Sequence, residues 1–90
     1  MKKVRMNVAG RVQGVGFRFM TKIIADELGI TGFARNEDDG SVTIEAVGPE
    51  DKINLFIQKV KASPSPYGRV NHFEIEEDFQ IKETSRFSSL

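Results

Sequence analysis

The stretch GRVQGVGFRFM, residues 10–20, holds three glycines, the fixed cations Arg11 and Arg18, and one side-chain amide, Gln13, with no cysteine or serine. These residue types hold an anion; they do not supply a nucleophile. Glycines let the chain turn tightly and leave backbone N–H groups uncovered. A guanidinium is a planar fork that matches two oxygens of a phosphate or a carboxylate. The stretch follows an alternating segment, Val4, Met6 and Val8, and precedes a segment with helical spacing, Met20, Ile23, Ile24 and Leu28. Strand, glycine turn, helix is the layout that points several N–H groups and the positive end of a helix dipole at one spot. Arg18 then falls in the first helical turn, able to fold back over a bound anion.

Other phosphate-binding loops fit this stretch poorly. A Walker loop ends Gly-Lys-Ser/Thr, whereas this one runs Gly16-Phe17-Arg18, and a dinucleotide fingerprint needs a third glycine where Phe19 stands. No cysteine is present to form a phospho-enzyme. The plainer reading, a tight turn followed by a solvated arginine, stays open at this point. A second stretch, TGFARNEDDGSV at residues 31–42, places Asn36 at the end of a strand before an acidic turn. An amide can accept a hydrogen bond from water and donate one to an oxyanion. Asparagine is also common at strand ends simply to make the turn.

The elements that must position these groups follow from periodicity. Period two predicts a strand around residues 4–8, and period 3.6 a helix over about 17–28, stopped by Gly29. Residues 30–36 and 41–47 read as a hairpin joined by Glu37-Asp38-Asp39-Gly40. Gly48-Pro49-Glu50-Asp51 starts a second helix, with the proline at its first position and Ile53, Phe56, Ile57 and Val60 as the apolar stripe. Residues 62–68 contain two prolines and read as a loop. Val70, Phe73 and Ile75 belong to a fourth strand with imperfect alternation. Residues 79–82 fit a short fifth strand. Phe17, Phe19, Phe33, Phe56 and Phe73 are expected in the core or packed on the sheet. The order β-α-β-β-α-β with right-handed crossovers predicts an α+β, ferredoxin-like sandwich of an antiparallel-type sheet with both helices on one face. One domain is expected over residues 1–83, and 84–90 reads as a polar tail, open to disorder, although Phe87 and Leu90 can dock.

GRVQGVGFR at residues 10–18, GFARNEDDGSV at 32–42 and the following Gly48-Pro49 together resemble the acylphosphatase family, with the likeness running from about residue 4 to residue 81. Either motif alone is less specific than the pair in this order and spacing. The resemblance implies hydrolysis of carboxyl-phosphate mixed anhydrides to a carboxylate and inorganic phosphate, on a ferredoxin-like fold, with no metal and no cofactor. It implies that Arg18 binds the phosphate, that Asn36 positions the attacking water, and that the backbone of Arg11, Val12, Gln13, Gly14, Val15 and Gly16 forms the cradle. The residues present agree with that chemistry. A carboxylate leaving group has a conjugate acid of pKa ~4 and departs at neutral pH without a general acid. Phosphoryl transfer rests mainly on positioning and charge stabilisation. The family position at Gly16 varies, and the tail past Lys82 is expected to run beyond the family's usual end. Glu37, Asp38 and Asp39 fit least well, as negative charge beside a site for a dianion, and are expected to project into water.

Composition narrows the alternatives. Thirteen basic residues balance thirteen acidic ones, which argues against non-specific nucleic-acid or membrane binding. The absence of cysteine and the single histidine, His72, exclude disulfides, thiolate catalysis and multi-histidine metal sites. His72 is expected at the surface of the fourth strand. No apolar run follows the basic start, so no signal peptide and no membrane span are expected, and a cytoplasmic monomer acting on a small acyl phosphate is the simplest reading. An RNA-recognition motif shares the element order, and GFAR is similar to its aromatic signature, but that signature belongs on the third strand, not the second. A non-enzymatic anion sensor, or a copy of a domain of a larger carbamoyl-handling protein, is the other alternative. Retention of both Arg18 and Asn36 favours hydrolysis over binding alone.

Overall fold

The computed structural model describes residues 1–90, in the order β1 (Lys2–Arg11), α1 (Phe17–Leu28), β2 (Thr31–Asn36), β3 (Val42–Gly48), α2 (Glu50–Lys61), β4 (Arg69–Glu77) and β5 (Phe87–Ser89). The alternation of β1 sends Val4, Met6 and Val8 fully inward, while Arg5 and Asn7 face the opposite side. The five strands lie in the order β4-β1-β3-β2-β5. The β1–β3, β1–β4 and β2–β3 pairs are antiparallel, and β5 pairs parallel to β2. This is the expected α+β, ferredoxin-like arrangement with one strand added at the β2 edge.

α2 begins with Glu50 and Asp51 and ends with Lys59 and Lys61, so its charges complement the helix dipole. Pro49 is its N-cap residue and not its first helical residue, so the helix starts one position later than expected. Ile53, Phe56 and Val60 are fully buried against the sheet, as their spacing predicts. α1 turns differently from the expected stripe. Its buried line is Phe17, Thr21 and Ala25, with Ile24 and Leu28 packed on the flank and Ile23 partly exposed. The small side chains of Thr21 and Ala25 let the helix approach closely, and the larger residues fill the edges. Phe19 is likewise a correction: it is 63% exposed, outside the core assigned to it from sequence.

The imperfect alternation of β4 has a local cause. Ala9 pairs with His72 but Gly10 pairs with Val70, so Asn71 is an extra residue, a bulge that separates the half-buried Val70 and Phe73 by three positions. His72 is exposed, with Nε2 3.4 Å from Oε2 of Glu74.

The fifth strand is not at 79–82. There Asp78 organises a turn: its carboxylate accepts from the Gln80 N–H at 2.9 Å, and its carbonyl accepts from the Ile81 N–H at 3.2 Å, which buries Ile81. The strand forms instead at Phe87–Ser89, inside the segment read as a tail. Phe87 is buried and meets Phe56 edge-on at 6.0 Å between ring centroids. Burial of that ring contributes about 2–3 kcal/mol. The Leu90 N–H donates to the Ala34 carbonyl at 2.9 Å and continues the ladder.

Candidate active site

The carboxyl ends of β1 and β2 lie at one end of the sheet with the start of β3 between them. Asn36 pairs with Val42, and Val42 pairs with Val8, so the three residues form one row across the sheet. β1 runs three residues past that row to Arg11 and then enters the turn of residues 12–16. Val12 is buried and anchors the start of the turn. Gln13 ties it to the hairpin next to Asn36: its Nε2 donates to the carbonyls of Glu37 at 2.9 Å and Ser41 at 3.0 Å. Its side chain therefore has a structural duty beside the backbone role expected from sequence.

Gly14 and Gly16 have φ of 76° and 79°, the left-handed conformation that favours glycine. Gly16 is the N-cap of α1 and offers no side chain to cap it. The first N–H groups of a helix have no intrahelical acceptor, so they face outward together with the dipole's positive end. They open on a hollow of about 150 Å³ lined by Val12, Gly14, Gly16, Phe17, Arg18, Phe19 and Ser89. Arg18 is half-buried and donates from Nη1 to the main-chain oxygen of Leu90. Since Leu90 is itself bonded to Ala34 of β2, Arg18 is held beside the strand that ends in Asn36. Larger hollows exist, such as one of about 300 Å³ along Arg5, Asn7, Glu74, Ile75 and Glu76. Carboxylates flank the cation there, and no helix N-terminus opens on it.

Asn36 is half-buried, and its Oδ1 is inaccessible and without a protein donor. A buried amide oxygen that lacks a partner is costly. Arg11, Gln13, Gly14 and Gly16 are exposed, and Val15 is half-buried. The structure thus brings the 11–16 turn, Arg18 and Asn36 to one end of the sheet. Sequence reasoning missed Ser89 on the wall of the hollow, the Leu90 oxygen at Arg18, and the bracing by Gln13. The apolar Phe87 and Leu90, set among polar residues, are the hint that the last segment docks.

The acidic hairpin is partly engaged with its own surroundings. Glu37 lies 3.0 Å from Arg35 Nε, and that hydrogen bond is the main reason its carboxyl is held below the usual range. Asp39 accepts from the Ser41 hydroxyl at 2.6 Å and its N–H at 2.9 Å, and the hydroxyl bond is the larger cause of its lowered pKa. Asp38 is exposed. A carboxyl whose folded pKa is depressed adds stability above its unfolded pKa and loses it as pH falls through the folded value. The Tm gap between wild type and Asp39→Ala is therefore expected to be widest near neutrality and to close on acidification below the ordinary aspartate range. A gap that ignores pH would show that the carboxylate is not what braces the turn. Nowhere do three His, Asp or Glu side chains gather so that they could hold a metal ion.

Comparison with known proteins gives one answer. The family model described as acylphosphatase matches residues 4–89. That span includes β5, so the last strand is part of the family pattern and does not run beyond it. The chain is 62% identical over 90 residues to an acylphosphatase of Enterococcus faecalis, covering all of this chain and 99% of that one. It is 48% identical over 89 residues to an acylphosphatase of Pediococcus pentosaceus, covering 91% of this chain and 99% of that one. Among solved structures, the acylphosphatase from Bacillus subtilis superposes with a TM-score of 0.94 at 39% identity, covering 100% of this chain and 99% of that one. Full-length HypF, solved in a phosphate- and nucleotide-bound form, matches with a TM-score of 0.89 at 29% identity, over 99% of this chain but only 12% of that one.

Proposed function

This chain belongs to the acylphosphatase family and hydrolyses acyl phosphates, and we propose that it does so by holding the phosphoryl group in the 11–16 turn with Arg18 while Asn36 orients water. The observation that carries this reading is the convergence of an uncapped helix N-terminus, a glycine turn and one guanidinium on the 150 Å³ hollow. The phosphoryl oxygens take hydrogen bonds from the turn's N–H groups, and the Arg18 fork spans two of them. The Asn36 amide hydrogen-bonds a water molecule and turns the water's lone pair toward phosphorus. As the new P–O bond forms, the bond to the acyl oxygen breaks and its electron pair leaves as a carboxylate. Asparagine takes no proton, so the water's proton passes to a phosphoryl oxygen or to solvent.

The substrate reading extends to a small molecule bound by a monomer in the cytoplasm, without nucleic acid and without a cofactor. No helix is long and apolar enough to cross a membrane. The sheet face opposite the helices supports the exclusion of nucleic acid. On it Arg5 is tied to Glu45 at 2.8 Å, Glu76 at 2.7 Å and Asp78 at 3.2 Å, so three carboxylates already engage that cation. Phe33, which an RNA reader would expose for stacking, is half-buried with the Arg35 guanidinium 5.0 Å from its ring centroid.

Purified protein treated with chelator is expected to hydrolyse benzoyl phosphate and acetyl phosphate far faster than buffer, with inorganic phosphate as a competitive inhibitor. Inhibition that is not competitive would remove the phosphoryl group from the turn. Loss of turnover with chelator, restored by a divalent ion, would replace the metal-free mechanism.

A further inference from the structure

The loop between α2 and β4 holds a polar group that this mechanism leaves unused. Ser65 is 2% exposed, and its Oγ donates to the Val15 carbonyl at 2.6 Å, fifty residues away in sequence. Val15 is the residue between Gly14 and Gly16. Resting on the reading that the 11–16 turn holds the phosphoryl group, we infer that Ser65 is a positioning residue that locks the Val15–Gly16 peptide with its N–H toward the substrate.

No peptide bond in the chain is cis. In a trans peptide the C=O and the N–H of the next residue point in opposite directions. Ser65 draws the Val15 oxygen into the protein, so the Gly16 N–H is aimed away from Ser65, on the side where Gly14 and Gly16 line the hollow. Without that anchor the peptide is free to turn over, because glycine accepts either sign of φ. The turned peptide would present a carbonyl oxygen to the phosphoryl oxygens, replacing attraction with repulsion.

Ser65 is built to resist that motion. Its Oγ also accepts from the Tyr67 N–H at 3.2 Å. Its carbonyl accepts from Ser63 Oγ at 2.9 Å and from the Gly68 N–H at 3.1 Å. Pro64 and Pro66 fix φ on both sides. Ser63 sits at φ 67°, a conformation a non-glycine residue keeps only when its surroundings hold it there. A side chain on Gly68 would come within 3.1 Å of the Arg11 carbonyl, so this loop is pressed against the start of the turn as well. So rigid a brace exceeds what a surface connection needs.

The test compares wild type, Ser65→Ala and Ser65→Thr by benzoyl phosphate kinetics, by the Ki of inorganic phosphate, and by the phosphate-induced shift of the Gly16 amide in NMR spectra. Those spectra also report that each variant is folded. Ser65→Ala is expected to raise the Ki and lower kcat/KM, each about tenfold, the scale of one lost hydrogen bond. The Gly16 response to phosphate should shrink with them, and Ser65→Thr, which keeps the hydroxyl, should restore all three. A folded Ser65→Ala variant with Ki and Gly16 response within about twofold of wild type overturns the inference. If Arg18→Ala still abolishes phosphate inhibition in that case, the reading of the turn stands and only the role of Ser65 falls. If the wild-type Gly16 amide ignores phosphate while the enzyme turns over, the turn is not the phosphate site and both fall.

Discussion

Replacing Arg18 with alanine is expected to lower kcat/KM for benzoyl phosphate by roughly 10³-fold, the scale for removing an arginine that stabilises phosphoryl transfer. The N–H groups of the turn are neutral donors, and the helix end supplies only a partial charge. Arg18 is the one full charge lining the hollow. Its contact with the Leu90 oxygen uses Nη1, and a guanidinium has five N–H donors, so part of the fork stays free for the phosphoryl oxygens. Lysine at this position should recover only part of the rate, since a point charge cannot span two oxygens. Inorganic phosphate should lose most of its inhibition in Arg18→Ala. Near-normal turnover by a folded Arg18→Ala variant would remove the residue from the site.

Asn36→Ala is expected to separate catalysis from binding: kcat falls about 10²-fold, as for a misplaced reactant, while the Ki of phosphate stays close to wild type. The basis is the place of Asn36 at the end of β2, next to the hairpin that Gln13 ties to the turn. A neutral amide can hydrogen-bond water but adds no charge to hold the anion. Asn36→Asp is a sharper probe, because it keeps an oxygen there but sets a negative charge beside the phosphoryl group. It should raise the Ki of phosphate where alanine does not. Were Asn36→Ala to weaken phosphate binding as strongly as it slows turnover, the amide would be an anchor for the anion and not the group that orients water.

The architecture was legible wherever a period ran long enough to be counted. β1, β3 and α2 bury the residues their spacing selects, except that Ile57 of α2 is only half-buried on the flank. α1 spans the residues its period selects but faces the sheet with a different line, because Thr21 lies on its buried side and a polar residue carries no apolar signal. β5 is three residues long, too short for any period, and it docks because Phe87 finds Phe56, a partner visible only in space. For the candidate site the same division holds. Arg18, Asn36 and the glycines stand out by residue type and spacing. Gln13 and Ser65 do not, since their importance lies in which distant carbonyls they reach. Phe19 misled for the opposite reason: it is apolar, yet it stands on the rim of the hollow and not in the core.

The struts around the turn span sequence separations of 24 and 28 residues at Gln13, 50 at Ser65 and 72 at Arg18. Contacts so distant along the chain raise the contact order, which slows folding of the domain as a whole. Neither helix by itself, nor the hairpin, can make even a crude version of the anion nest. Enzymatic competence in this molecule therefore requires the whole topology, so regain of activity on refolding reports that every strut has closed.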